Sequence, residues 1–367
     1  MKDCSIIRII KVTLLMFLSV NTFADLGGKN VILIHGFNPF QLLSPPADNG
    51  RLDAEKYWRN VDSRLQDEHN GLTNIIHWPS NKRLTGAGGV ISIVKPQIEA
   101  LVTQGYCDDQ CVIVTHSTGD LVARFLLKNR NSILGSQVAS RFKVAAVVDL
   151  AGAGGGTELA NIGVGIANGI NFGGNIVSAM LDYAGFGISL GLDVGILNDL
   201  QTTVARNHAT GSIPAIPRIR FAGTGDEFYG FATHGLISGA DDSVVPLHSA
   251  CGSAFAHGYQ SCSQDVRIDG RLTRVSSAPN ANELYDFHYP LVMSETLEHN
   301  GMQSNSTGNW MTFISSQEDQ YNRLLQQVPE LSFDDYTKRE WWDFWRTYRY
   351  LKDANYKSMT TIVADAF

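Results

Sequence analysis

The sequence predicts an α/β fold: a mostly parallel central sheet flanked by helices. Short apolar runs recur at Val31 to Ile34, Ile75 to Trp78, Cys111 to Val114, Val144 to Leu150 and Ile219 to Ala222. Each has the length of a strand and is too continuously apolar to leave a face in water, which is how strands covered on both faces read. Amphipathic stretches of helical period separate them, around Asp53 to Gln66, Ile91 to Thr103 and Gly119 to Arg130, giving the βαβ rhythm of a parallel sheet. A chain of 367 residues, 44% of them apolar, can bury one large core with insertions or at most two. Right-handed crossovers and a site at the carboxyl ends of the strands are then expected.

The amino-terminal residues read as an address. Lys2, Arg8 and Lys11 precede the apolar run Val12 to Val20, which ends at small residues around Thr22 and Ala24. This is the pattern of a secretory signal peptide over 1–24, leaving 25–367 as the folded part and an exported protein, periplasmic or extracellular. No later stretch approaches about 20 uninterrupted apolar residues, so no transmembrane segment is expected. Once Cys4 leaves with the signal, Cys107, Cys111, Cys251 and Cys262 remain as two local pairs. Two disulfides in an oxidising compartment are the expectation; a metal site competes for the same thiols, but Cys251 and Cys262 do not form a second short-spaced pair. The formal charge of −7 argues against nucleic acid as the partner.

Two insertions interrupt the rhythm. Thirteen of the 35 glycines fall between Gly152 and Gly195, among Ile, Val, Leu and Phe. The segment 152–206 reads as a cap or lid, or as a buried helical hairpin whose glycines allow close packing. Between Cys251 and Ser277, Asp269-Gly270 separates two β-like runs, Asp265 to Ile268 and Leu272 to Val275, a hairpin-turn signal. The last stretch, 318–367, carries Trp341, Trp342, Phe344, Trp345, Tyr348 and Tyr350 among charges. Its expected state is helix, with the aromatics as a packing face or, alternatively, a transient membrane-surface contact.

Chemistry concentrates at Thr115-His116-Ser117-Thr118-Gly119, which follows an apolar strand and opens a helical pattern. A serine on a sharp strand-to-helix turn projects its hydroxyl above the sheet, next to a helix N-terminus that favours developing negative charge. Thr115 stands where G-x-S-x-G has its first glycine. Alone, the motif also fits a serine capping an ordinary helix. It is joined upstream by Val31-Ile-Leu-Ile-His35-Gly36-Phe37, a strand running into a His-Gly turn.

Together the two motifs resemble the α/β-hydrolase superfamily, in its secreted lipase and esterase-like serine hydrolases. The resemblance covers roughly Lys29 to Ala151 and Arg218 to Ile314, and hardly reaches the cap or the C-terminal stretch. It implies Ser117 as nucleophile and the backbone N–H groups of Phe37 and Thr118 as the oxyanion hole. The acid should follow the nucleophile and precede the base. Asp242, four residues before Pro246, resembles the acid of this superfamily; Asp226 and Asp149 compete. Two histidines fit the base. His299, in His-Asn-Gly-Met, is similar to the base loop of small bacterial lipases; His288 is the alternative, unless Pro290 opens a helix there. His116 is expected to be a packing or hydrogen-bonding neighbour.

The implied activity is hydrolysis of lipid or acyl esters through a Ser117 acyl-enzyme, with no metal or organic cofactor required. An acyltransferase using the same acyl-enzyme, an amidase or a polyester depolymerase fits the same scaffold. A non-catalytic lipid-binding envelope protein is the reading from a different class.

Overall fold

The computed structural model describes residues 29–170, 191–210, 214–225, 236–259, 261–262, 281–294, 297–305, 331–337, 347–354 and 356–367. The signal-like segment, Asp226, the Asp269-Gly270 hairpin, the middle of the glycine-rich insertion and Trp341 to Trp345 lie outside these residues.

Six strands form one sheet: β1 (Asn30–Ile34), β2 (Ile75–Ile76), β3 (Cys111–His116), β4 (Val144–Leu150), β5 (Arg218–Gly223) and β6 (His288–Ser294). Their order is β2-β1-β3-β4-β5-β6, and every neighbouring pair is parallel. Along each strand side chains alternate between two cores. Ile32, Ile34 and Ile113 enter one with the helices α2 (Val90–Thr103) and α3 (Gly119–Lys128). Val31, Leu33, Val112 and Val114 enter the other with α1 (Arg51–Tyr57) and the C-terminal helix of residues 359–366. The expected α/β architecture is therefore present. In α2, Val90, Val94, Ile98, Leu101 and Val102 are buried at helical spacing, which is why this stretch reads so clearly as an amphipathic helix.

The order of strands decides where a site can sit. From β1 the chain first adds β2 on one side and then crosses to β3 on the other. The sheet's topological switch point thus lies between the carboxyl ends of β1 and β3, where a crevice opens in sheets of this kind. Those two ends lead into His35-Gly36-Phe37 and Ser117 respectively.

Not all the strand interior is apolar. Asp149 on β4, Arg218 and Arg220 on β5 and Asp120 on α3 are buried together. Arg220 reaches Asp120 and Asp149 at 2.7 Å each, and Arg218 reaches them at 2.8 and 3.0 Å. Burial opposes the charge on Asp120, but Arg220 and Arg218 overcome it and hold the carboxyl well below the usual range.

Two expectations are corrected. The 318–367 stretch is not continuous helix: Phe333–Thr337 and Thr347–Leu351 pair as antiparallel strands, β7 and β8, and the helix Met359–Ala366 follows. The run Thr347-Tyr-Arg-Tyr-Leu351 alternates with period two, a strand pattern that the density of aromatics obscures. Nor does His288 open a helix. It begins β6, an edge strand of the sheet, where the missing N–H of Pro290 is tolerated.

The cysteines pair as expected, Cys107 with Cys111 and Cys251 with Cys262, with Cα atoms 4.8 and 6.2 Å apart. The described ends of the glycine-rich insertion include helix Glu158–Ala167, a 3-10 turn Gly195–Asn198 and helix Thr202–Ala209. Leu159, Ala160, Ile196 and Leu200 from these ends join the main core. Among the described residues no helix is long and apolar enough to cross a membrane.

Candidate active site

Ser117 follows β3 directly and has a left-handed backbone, φ 55°. A non-glycine residue is uncommon in that region, and a serine held there on a strand-to-helix turn marks a constrained position. Its N–H donates to Leu150 O at 3.0 Å, while its carbonyl accepts from Ala153 at 2.9 Å and Asp120 at 3.2 Å. The turn is tightly packed. A Cβ at Gly119 would collide with Ile34 O and stand 2.8 Å from His35 O, so only glycine allows α3 to start this close to β1. Thr115, at the motif's first glycine position, is buried with its hydroxyl donating to Asp149 at 2.6 Å. Its side chain is thus accommodated by a polar partner in the neighbouring strand.

His299 and Asp242 meet on loops beyond the sheet. His299 Nδ1 lies 2.9 Å from Asp242 Oδ2, and the His299 N–H donates to the Asp242 carbonyl at 3.0 Å. The other carboxylate oxygen, Oδ1, accepts from Val244 at 3.1 Å and Val245 at 2.7 Å. Asp242 is therefore oriented by its own turn before it meets the imidazole. A carboxylate on Nδ1 selects the tautomer with Nε2 as the acceptor. Ser117, Thr118, Phe37 and His299 line one cavity of about 270 Å3 together with Ala153, Ala160 and Leu200.

The alternatives lie elsewhere. Asp149 belongs to the buried ion network and bonds Thr115, Arg218 and Arg220. His288 pairs with Arg218 at the start of its strand, below the row Thr115, Asp149, Arg220 and Pro290, whereas Ser117 lies beyond that row. Its Nδ1 donates to Asp286 O at 2.9 Å, and a Cβ at Gly252 would stand 2.6 Å from its ring. His288 is packed against Gly252 on this geometry, and the structure does not bring it to Ser117.

Sequence reasoning assigned nothing to the His35 ring, which shapes the site. It stacks on Trp78, ring centroids 4.7 Å apart. The Trp78 N–H donates to His35 Nε2 at 3.2 Å, so the proton sits on Nδ1, which donates to Gly36 O at 2.7 Å. Burial pushes the ring's pKa down to about 4, keeping it neutral. Because the peptide is planar and trans, fixing the Gly36 carbonyl turns the Phe37 N–H to the opposite side. Tyr57 was also missed, because nothing near it in the sequence marks it. Its hydroxyl bonds His116 Nδ1 and it too lines the cavity.

No family model matches the chain, and no curated protein matches it. Several solved structures are similar to parts of this chain. A lipase of Bacillus licheniformis in its mature form is 14% identical over 75% of this chain and 86% of that chain, with a TM-score of 0.39. The phospholipase PlaB of Legionella pneumophila is 14% identical over 60% of this chain and 45% of that chain, with a TM-score of 0.35. Lipase 1 of Pelosinus fermentans is 13% identical over 83% of this chain and 99% of that chain, with a TM-score of 0.34.

Proposed function

We propose that this chain is an exported serine hydrolase that cleaves carboxylic esters of acyl chains through a Ser117 acyl-enzyme. One observation carries the reading: a serine on a left-handed strand-to-helix turn shares a cavity with a histidine whose Nδ1 is engaged by a buried aspartate at 2.9 Å. In this mechanism His299 Nε2 takes the Ser117 proton as the hydroxyl attacks the ester carbonyl. Asp242 holds the tautomer and stabilises the imidazolium that forms. His299 then gives the proton to the leaving alcohol, and water resolves the acyl-enzyme by the same steps in reverse.

The oxyanion would be held by the Phe37 and Thr118 amides. Thr118 is the N-cap of α3, where a backbone N–H has no partner within the helix and the helix dipole favours negative charge. The Phe37 amide is directed by the His35 bond to Gly36 O. Each such donor is worth about a hundredfold or more in rate. The apolar wall of Ala153, Ala160, Leu197 and Leu200, all from the described ends of the glycine-rich insertion, supports an acyl chain as the bound group. Export is supported by the signal-like pattern of 1–24 and by the two disulfides.

The test is hydrolysis of p-nitrophenyl esters from C2 to C16 by the oxidised protein, comparing wild type with Ser117→Ala, His299→Ala and His288→Ala. Turnover lost in Ser117→Ala and His299→Ala but kept in His288→Ala is the expected result. Serine-independent turnover, or none on any chain length, sinks the reading. Turnover that appears only with an alcohol acceptor favours the acyltransferase.

A further inference from the structure

The turn that carries the Phe37 amide and the loop that carries His299 are joined by a line of hydrogen bonds running beside Ser117. His116 Nε2 lies 2.9 Å from the carbonyl oxygen of His299. A carbonyl only accepts, so Nε2 carries the proton. The ring is fully buried, and burial, with the nearby His299 adding to it, holds its pKa well below the ordinary value. The ring is therefore neutral, Nδ1 is bare, and the Tyr57 hydroxyl on Nδ1 is the donor of that bond. Burial raises the Tyr57 pKa, so the phenol keeps its proton, and its oxygen accepts the Gly36 N–H. The order is thus Gly36 N–H to Tyr57, Tyr57 O–H to His116 and His116 Nε2–H to His299 O, with every donor pointing the same way.

Gly36 is consequently held at both of its peptide groups. Tyr57 takes its N–H, and its carbonyl accepts from His35 Nδ1 at 2.7 Å. The two bonds fix the planes on either side of its Cα, and with them the direction of the Phe37 N–H. A Cβ at Gly36 would collide with the Tyr57 hydroxyl and stand 2.7 Å from Ser117 Cβ, so a side chain here would displace the phenol or the nucleophile. At the other end of the line, His116 holds the His299 carbonyl while the His299 N–H donates to the Asp242 carbonyl at 3.0 Å. The backbone of the base is held on both sides as well. The linking side chains come from α1 and from the end of β3, rigid elements that position a site more closely than loops do.

We infer that Tyr57 and His116 are positioning residues for the ester hydrolysis, which as one unit hold the oxyanion turn and the base loop in register on either side of Ser117. This rests on the hydrolase reading. Tyr57 is not an oxyanion donor in this scheme, because its one proton is committed to His116.

The experiment is a double-mutant cycle on p-nitrophenyl ester turnover with Tyr57→Phe, His116→Leu and the pair, kcat and KM being read separately. Tyr57→Phe keeps the ring and is expected to lower kcat by about ten- to hundredfold, the cost of a misplaced donor, with KM within about twofold of wild type. The pair should lose no more than about twofold beyond the more damaging single variant, because residues that act as a unit are not additive. Losses that multiply in the pair overturn the inference. So does a Tyr57→Phe kcat within about twofold of wild type, or a loss confined to KM, which would make Tyr57 a substrate contact. The histidine nitrogen NMR spectrum of the wild-type protein at neutral pH tests the line without any variant or substrate. A neutral His116 with its proton on Nε2 is expected, and a charged ring or a proton on Nδ1 overturns the inference whether or not the variants fold. If wild type cleaves no ester, the hydrolase reading fails and the positioning role goes with it; an active wild type with an unaffected Tyr57→Phe sinks the positioning role alone.

Discussion

His35 lies almost flat on Trp78, their planes 10° from parallel, and takes the Trp78 backbone N–H on its Nε2. The stack and the bond together leave the ring one tautomer, which directs Nδ1 to the Gly36 carbonyl. His35→Phe keeps the stacking area and loses both hydrogen bonds. It is expected to lower kcat by about a hundredfold, the cost of a misdirected oxyanion donor, with a smaller change in KM. Steady-state kinetics on a p-nitrophenyl ester check this. A variant with unaltered kcat would detach His35 from the oxyanion turn.

Asp242→Asn leaves the turn able to form but presents an amide to His299 Nδ1, which disfavours the working tautomer. Turnover is expected to fall by about ten-thousandfold, with the far-ultraviolet dichroism spectrum preserved. Loss of less than tenfold would assign the acid elsewhere.

Acid should destabilise the fold through histidines buried as neutral rings. Burial is the main cause that lowers the pKa of His35 and of His248 to about 4, and it holds His116 and His288 well below the ordinary value. In the unfolded chain each titrates near 6.5. Between about pH 6.5 and 4 the unfolded state therefore binds protons that the native state refuses. Stability is full above this window and is lost as pH falls through it. His35 alone accounts for about 3 kcal/mol. Urea midpoints measured at pH 7.5, 6 and 5 should fall in that order, and a flat series would contradict it.

Arg220 is fully buried and serves two carboxylates. Arg220→Met leaves Asp120 and Asp149 to share Arg218 alone, and is expected to cost roughly 3–5 kcal/mol. Arg51→Ala breaks an exposed pair with Glu55 at 2.8 Å and should cost less than about 1 kcal/mol. Chemical denaturation of the two variants side by side provides the comparison. Equal costs would mean that the interior network is not a unit.

The sheet was legible because β1, β3, β4 and β5 are mostly apolar and buried on both faces, and α2 because its buried residues repeat at helical spacing. Ser117 and the His299 and Asp242 loops could be found from local motifs. Their meeting could not, since 57 residues separate the aspartate from the histidine. The separate places of His299 and His288 needed the strand register, which sets His288 at the start of β6, the end away from Ser117. The C-terminal stretch misled because aromatics fit either a helix or a strand, and only the alternation in 347–351 tells them apart. Tyr57 was illegible for a different reason: it lies on α1, 59 positions from the ring it touches.

Thr115 bears on how this protein could be engineered. A designer correcting the elbow toward the common glycine would remove the hydroxyl that Asp149 accepts at 2.6 Å. The replacement would also introduce a strand-weakening residue in the middle of the sheet. The residue that departs from G-x-S-x-G is here part of a matched set with Asp149. A consensus substitution at this position should lower the melting temperature unless its partner is redesigned with it.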